Sequence, residues 1–250
     1  MNAPLAAIDN DRTTEPLPQR AHTPLPSPAA LRDALALAPA RQRQVFQQRQ
    51  ALRAILHGRD DRLLVIAGPC SLHEPQAALE YGHRLAALAT ELDDRLLLVM
   101  RAYVEKPRTT VGWKGLLYDP HLDGRHDLAE GLRVSRRLLL DLVDLGLPLA
   151  SELLSPLAAH YLDDLLSWAA IGARTTESQI HREMVSGLAL PVGFKNGTDG
   201  GIGVARDAIG APPRPPGHGS PRPPGPDSNP GQPGHPLGAA RRAIRPQLPR

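Results

Sequence analysis

A chain of 250 residues with 41% hydrophobic side chains can bury one large α/β core, and its single cysteine, Cys70, excludes an intrachain disulfide and suits a reducing cytoplasm. The formal charge of +3 does not mark a polyanion binder. Ala211 onward carries six arginines against the one acid Asp227, leaving 23 basic and 25 acidic side chains, a net of −2, in the preceding 210 residues. No apolar run reaches the ~18 residues of a membrane span, and Asp9 and Asp11 near the N-terminus argue against a secretory leader, so a cytoplasmic chain without membrane or nucleic-acid partner is expected.

Residues 1–28 are rich in Pro, Thr and Ala without apolar period and read as a flexible arm. The segment 29–61 is rich in Ala, Leu, Gln and Arg, with apolar residues three and four apart, and reads as a helical extension with a break at Pro39 and a stop at Gly58. RLLVIAG (62–68) has the pattern of a strand buried on both faces, PQAALEYGHRLAALATEL (75–92) opens like a helix with Pro at its start, and RLLLVMRAY (95–103) is a second strand. A long helix follows over Asp127–Leu145, closed by Gly146. LPLASELL, LSWAAIGAR and LPVGFKNG are three more strands, with helical stretches at 156–165, 176–187 and 201–209.

Five strand-then-helix units in succession predict a parallel sheet, either doubly wound or a (β/α)8 TIM barrel with about five of its eight units present, spanning 62–211. No G-x-G-x-x-G follows the first strand and no P-loop occurs, so the barrel is favoured. From Pro212 to Arg250 the composition changes abruptly, this tail holding 13 of the 27 prolines, and no regular structure is expected there.

A barrel carries its chemistry where its strands end. The first strand ends in Gly68-Pro69-Cys70-Ser71, the second in Arg101, the third in Glu152, the fourth in Gly172-Ala173-Arg174 and the fifth in Lys195-Asn196. One charge at a strand end is ordinarily a solvated loop residue; charges at successive ends converge on one mouth. Arginines and lysines around one carboxylate suit a small substrate bearing phosphate and carboxylate groups. Cys70, which by composition alone reads as buried filler, could in that mouth offer a thiolate to a borderline metal. The loop EKPRTTVGWKGLLYDPHLDG (105–124) is long for its place, and Lys106, Arg108, Trp113 and Lys114 give it a phosphate-gripping composition.

GPCSLHEP, MRAYVEKPRTTVGWKGLLYDPHLDG, GLRVSRRLLLDLVDLGLP, IGARTTESQIHRE and PVGFKNGTDG resemble, in order and spacing, signature segments of the class I 3-deoxy-D-arabino-heptulosonate-7-phosphate synthases, over about residues 45–209. The resemblance implies a transferase that condenses phosphoenolpyruvate with erythrose 4-phosphate in aromatic amino-acid biosynthesis. It further implies a homo-oligomer and an aromatic amino-acid feedback inhibitor. By the same resemblance Arg101, Lys106, Glu152, Gly172, Ala173, Arg174 and Lys195 surround phosphoenolpyruvate, and Lys106, Pro107, Arg108 and Thr109 meet erythrose 4-phosphate. Arg101, Lys106 and Lys195 would be catalytic, and Cys70 one ligand of a divalent metal such as Mn, Fe, Co or Zn. The alternative from another class is a half-barrel binding or regulatory protein with a basic tail.

The chain departs from the family after residue 209, where a His before an LRGG segment and a later Glu and Asp, the family's other metal ligands, do not follow. As written, the chain is therefore expected to be inactive. Read in high-GC codons one base later, however, GQPGHPLGAARR becomes GNPDTHLVLRG and RPQLPR becomes GPNYR, two ordered family segments in one frame. A single-base insertion or deletion near Ala211 is the expected cause. Sequencing the gene from the Lys195 codon past the stop checks this, and a frame that cannot yield both segments refutes it.

Overall fold

A computed structural model describes residues 24–108 and 112–210; the tail at 212–250 and all but the last residues of the arm lie outside that range. Helices α1 (Pro28–Ala34) and α2 (Pro39–Leu56) precede β1 (Leu63–Ala67). Then follow α3 (Pro75–Glu91), β2 (Leu96–Arg101), α4 (Leu128–Asp144), β3 (Leu149–Glu152), α5 (Pro156–Leu162) with a 3-10 turn at Asp163–Leu165, β4 (Trp168–Ile171), α6 (Gln179–Ser186), β5 (Val192–Phe194) and α7 (Gly203–Gly210).

The helix starts follow local chemistry. Ser27, Glu74, Asp127 and Ser155 accept hydrogen bonds from amides of the first turns of α1, α3, α4 and α5, and Pro28, Pro39, Pro75 and Pro156 occupy first-turn positions where no amide donor is needed. Pro39 thus begins α2, and the break expected there falls just before it. Gly58 and Gly146, at φ +65° and +86°, take the left-handed conformation that ends α2 and α4.

All five strands are parallel and hydrogen-bonded in chain order, β1-β2-β3-β4-β5. A doubly wound sheet reverses its direction of winding at one point and thereby puts helices on both faces. Here the order never reverses, so the sheet is the wall of a partial (β/α)8 barrel. The outward positions Leu98, Met100, Leu149, Ala169 and Ile171 pack into one core with Leu85, Leu138, Leu139 and Leu142 of the helices. β1 differs from expectation: Leu63 and Ile66 are 65% and 38% exposed, because this strand pairs only with β2 among the described strands.

The inner face has a separate core. Leu52 of α2, fully buried, packs with Leu64, Leu97, Val99, Ala150 and Trp168, so the helical extension lays an apolar floor beneath the strands' inner positions. A further latch holds the extension to the barrel. Arg136 of α4 is buried, and its fork grips both carboxylate oxygens of Asp164 at 2.7 and 2.8 Å while donating to the carbonyls of Tyr161 at 2.8 Å and Leu35 at 2.9 Å. Arg32 reaches the same turn through Asp163 and the His160 carbonyl, and the Tyr161 hydroxyl donates to Pro26.

Arg136→Met keeps the volume but strips Asp164 and two carbonyls of their donor. It is expected to cost about 3 kcal/mol, read as a lowered urea midpoint; an unchanged midpoint would show that the latch contributes nothing.

Candidate active site

Strand alternation sends every second side chain inward, and at the C-terminal rim those residues are polar. Arg101 ends β2 with its side chain beside the first βα loop, its Nη2 donating to the Cys70 carbonyl at 3.1 Å. Gly68 makes this approach feasible, since a Cβ there would lie 2.6 Å from the Arg101 carbonyl oxygen and 2.9 Å from its Cβ. The guanidinium carbon sits 4.0 Å from the centre of the Tyr103 ring, and Lys195 Nζ lies 5.2 Å from the same ring. The aromatic face thus gathers two cations that would otherwise repel.

Lys195 forms an ion pair with Glu152, whose side chain is 4% exposed. Gly172 adjoins that carboxylate: a Cβ would stand 2.3 Å from Glu152 Oε1. Thr176 fastens the two strand ends together, its hydroxyl 2.9 Å from the Gly172 carbonyl and 3.0 Å from the Lys195 carbonyl. On the other side Lys106 donates to Cys70 Sγ. That hydrogen bond first, then the charges of Lys106, Arg101 and Lys195, hold the Cys70 thiol below its ordinary range.

The structure thus brings Cys70, Arg101, Lys106, Glu152, Gly172 and Lys195 into one connected group. Cys70 is exposed at the mouth, so its reading as buried filler is overturned. Ala173 is half-buried, Arg174 exposed at the rim, Pro107 half-buried and Arg108 exposed with its Nε on the Trp113 carbonyl at 2.8 Å; Thr109 lies outside the described residues. Arg101 Nε is buried and has no hydrogen-bond partner among the described residues. A buried guanidinium donor left unpaired at a cationic mouth is a place for an anion's oxygen.

For a metal the described residues do not fit. They contain no group of three or more His, Cys, Asp or Glu able to hold one, and the single thiol already faces an ammonium. No step through a metal is derived.

Two residues of the site were missed by sequence reasoning, Tyr103 and Glu105. Glu105 is 1% exposed; its Oε2 accepts from the Leu154 amide at 3.0 Å, and its Oε1 from the Ser155 amide and the Tyr118 hydroxyl, both at 3.2 Å. Burial is the main cause that pushes its carboxyl up to about 7, with the Glu152 charge adding to it. The signal was present: Arg101, Tyr103 and Glu105 alternate with the buried apolar Ala102 and Val104, extending the inward face of β2 past its last paired residue.

Comparison with known proteins finds relatives over most of the chain. A family model described as "DAHP synthetase I family" matches residues 38–215. The Tyr-sensitive phospho-2-dehydro-3-deoxyheptonate aldolase of Salmonella typhimurium is 55% identical over 205 residues, 82% of this chain and 56% of that protein. The Phe-sensitive one of Escherichia coli K12 is 62% identical over 167 residues, 67% of this chain and 48% of that protein. The phospho-2-dehydro-3-deoxyheptonate aldolase structure from Francisella tularensis superposes with a TM-score of 0.73 at 44% identity, covering 75% of this chain and 55% of that one. The chain spans about half the length of these relatives.

The Glu105 carboxyl sets a pH dependence. Between its ordinary value of 4.5 and its folded value of about 7 the unfolded chain is ionised there while the folded chain keeps the proton, so stability falls as pH rises through that window. The loss from this group is at most about 3 kcal/mol. Urea midpoints at pH 5 and pH 8 check it: Glu105→Gln, which cannot titrate, should show the smaller fall, and equal falls would refute the assignment.

Proposed function

We propose a function from one premise: the chain belongs to the DAHP synthetase I family. On that premise we infer that its mouth is the phosphoenolpyruvate side of an enzyme that joins phosphoenolpyruvate to erythrose 4-phosphate, giving 3-deoxy-D-arabino-heptulosonate 7-phosphate and inorganic phosphate. The observation that carries this reading is the convergence of Arg101, Lys106 and Lys195 on one buried carboxylate, with Arg101 Nε left to donate.

Phosphoenolpyruvate presents a phosphate and a carboxylate on a three-carbon frame. Arg101 and Lys195 are assigned to these anionic groups, with Arg174 and the Gly172-Ala173 backbone closing over them from the rim. Glu152 holds Lys195 in place through their ion pair. Lys106 and Arg108, with Pro107 and Thr109, are assigned to erythrose 4-phosphate, Arg108 to its phosphate. The cationic mouth offsets the mutual repulsion of two phosphorylated substrates and holds carbon 3 of phosphoenolpyruvate against the sugar aldehyde. The new C–C bond forms there, the aldehyde oxygen takes a proton, water adds at carbon 2, and phosphate leaves as the carbon 2 ketone forms. Lys106 is assigned to the developing alkoxide, as the cation common to both substrates.

Regulation follows the same proposal. Relatives are named for sensitivity to Tyr, Phe and Trp, and an aromatic amino acid is the proposed inhibitor here. Homo-oligomerisation and a cytoplasmic location belong to the proposal too. No helix among the described residues is long and apolar enough to cross a membrane.

Calorimetric titration of the 250-residue chain tests the assignment. Phosphoenolpyruvate should bind, and Arg101→Met and Lys195→Met should each weaken it at least about tenfold, the loss of one charge-assisted contact. A folded chain that ignores phosphoenolpyruvate sinks the reading. In the same samples no heptulosonate phosphate is expected on adding both substrates, whereas product should form when residues 45–209 replace their counterparts in the Phe-sensitive E. coli relative.

A further inference from the structure

The mouth as assigned makes no use of Glu105. Burying a carboxylate is costly unless donors replace water, and here three do. They come from two places: the Leu154 and Ser155 amides belong to the connection after β3, while Tyr118 sits at the far end of the loop that begins with Lys106. The backbone closes that loop at the same point. Lys106 N donates to the Lys114 carbonyl at 2.9 Å and Leu117 N to the Val104 carbonyl at 3.1 Å. Gly115 allows the two feet to touch, since a Cβ there would lie 2.4 Å from the Val104 carbonyl oxygen and 2.9 Å from Lys106 N. On its other side the connection is held by α6, through His181 Nε2 and the Leu154 carbonyl at 2.8 Å. Glu105 therefore ties both feet of the loop carrying Lys106 and Arg108 to a segment fixed from the opposite direction.

We propose that Glu105 is a positioning residue that sets Lys106 and Arg108 for the sugar phosphate. This rests on the assignment of those two residues to erythrose 4-phosphate. The physical contrast is between strand and loop. Arg101, Glu152 and Lys195 stand on or directly after paired strands and keep their places without Glu105. Lys106 and Arg108 stand on a loop, and a loop holds a side chain within a fraction of an ångström only when its backbone is over-determined. A displacement of about 1 Å can cost about 10²-fold in a positioned reaction. An apolar side chain at 105 would fill the space yet leave two amides and a hydroxyl without an acceptor, and the loop's feet would be free to part from the β3 connection.

The test uses the 250-residue chain with Glu105 as Glu, Ala and Gln. By hydrogen exchange, Glu105→Ala should release the amides of Lys106, Leu117, Leu154 and Ser155 at least tenfold faster, while Met100 and Ala102 in the sheet stay within twofold. By separate titrations, the same change should weaken erythrose 4-phosphate at least tenfold and phosphoenolpyruvate less than twofold. Glu105→Gln keeps one acceptor for the amides and lets Tyr118 turn its hydroxyl, so it should recover much of both effects. It also keeps the test alive if the Ala chain does not fold. Equal weakening of both ligands with the sheet amides also released would make Glu105 plain fold support and overturn the proposal, as would unchanged exchange at Leu154 and Ser155. A wild-type chain that binds phosphoenolpyruvate but not erythrose 4-phosphate overturns the subsite assignment and the positioning role with it. One that binds neither sinks the functional reading as a whole; the exchange pattern separates that failure from a failure of the anchor.

Discussion

Everything at the mouth depends on one constraint: five strands run in the same direction and are hydrogen-bonded in the order in which they occur. Same direction places every strand's C-terminal end on one rim; unbroken order leaves the helices on one face and an interior on the other. The side chains that follow the last paired residues then have nowhere to point but toward one another. Cys70, Arg101, Glu152 and Lys195 are 125 residues apart at their extremes in sequence and yet form one chain of contacts.

The interior is graded along its axis. Leu52 closes the lower end with Leu64, Leu97, Val99, Ala150 and Trp168, and charge begins one layer higher. An apolar floor beneath an ion pair excludes water from one side, so the Glu152 and Lys195 charges act in a weaker dielectric than they would at an open surface. The same dryness raises the Glu105 carboxyl, whose three donors only partly offset its burial. The two neighbouring carboxyls differ in their partners: Glu152 faces the Lys195 cation, Glu105 only dipoles.

Most of this was legible in the sequence because periodicity and caps are local signals. All five strands and the helices between them fall where apolar runs, prolines and glycines put them, and the charged residues at strand ends identified the mouth. Sequence favoured the barrel over the doubly wound sheet only by the missing phosphate-binding motifs; strand order, which rests on contacts between distant segments, decides it. Tyr103 and Glu105 lie past Arg101, the charged residue that marks this strand's rim in the sequence, although the inward alternation continues through them. Arg136 escaped notice for another reason. Three arginines, Arg133, Arg136 and Arg137, share one amphipathic helix; Arg136, four residues after Leu132 and three before Leu139, falls on its buried face, but no spacing rule connects it to its partner Asp164. The exposure of β1 likewise reflects its having one neighbour among the described strands, a fact about the sheet and not about LLVIA.

The floor of the barrel is laid by a helix that precedes every strand it supports. Gln48 of α2 pairs with Ser167, 119 residues further on, and Leu52 waits for Ala150 and Trp168 in the same way. A chain emerging from the ribosome N-terminus first therefore leaves Leu52 of α2 covered only in part, by Leu64, Leu97 and Val99, until β3 and β4 have followed. Contacts of such long span slow folding and prolong the interval in which apolar surface can meet other chains. For this protein the vulnerable moment of synthesis is the stretch between α2 and β4, and holding that helix until β4 emerges is where a chaperone would serve it best.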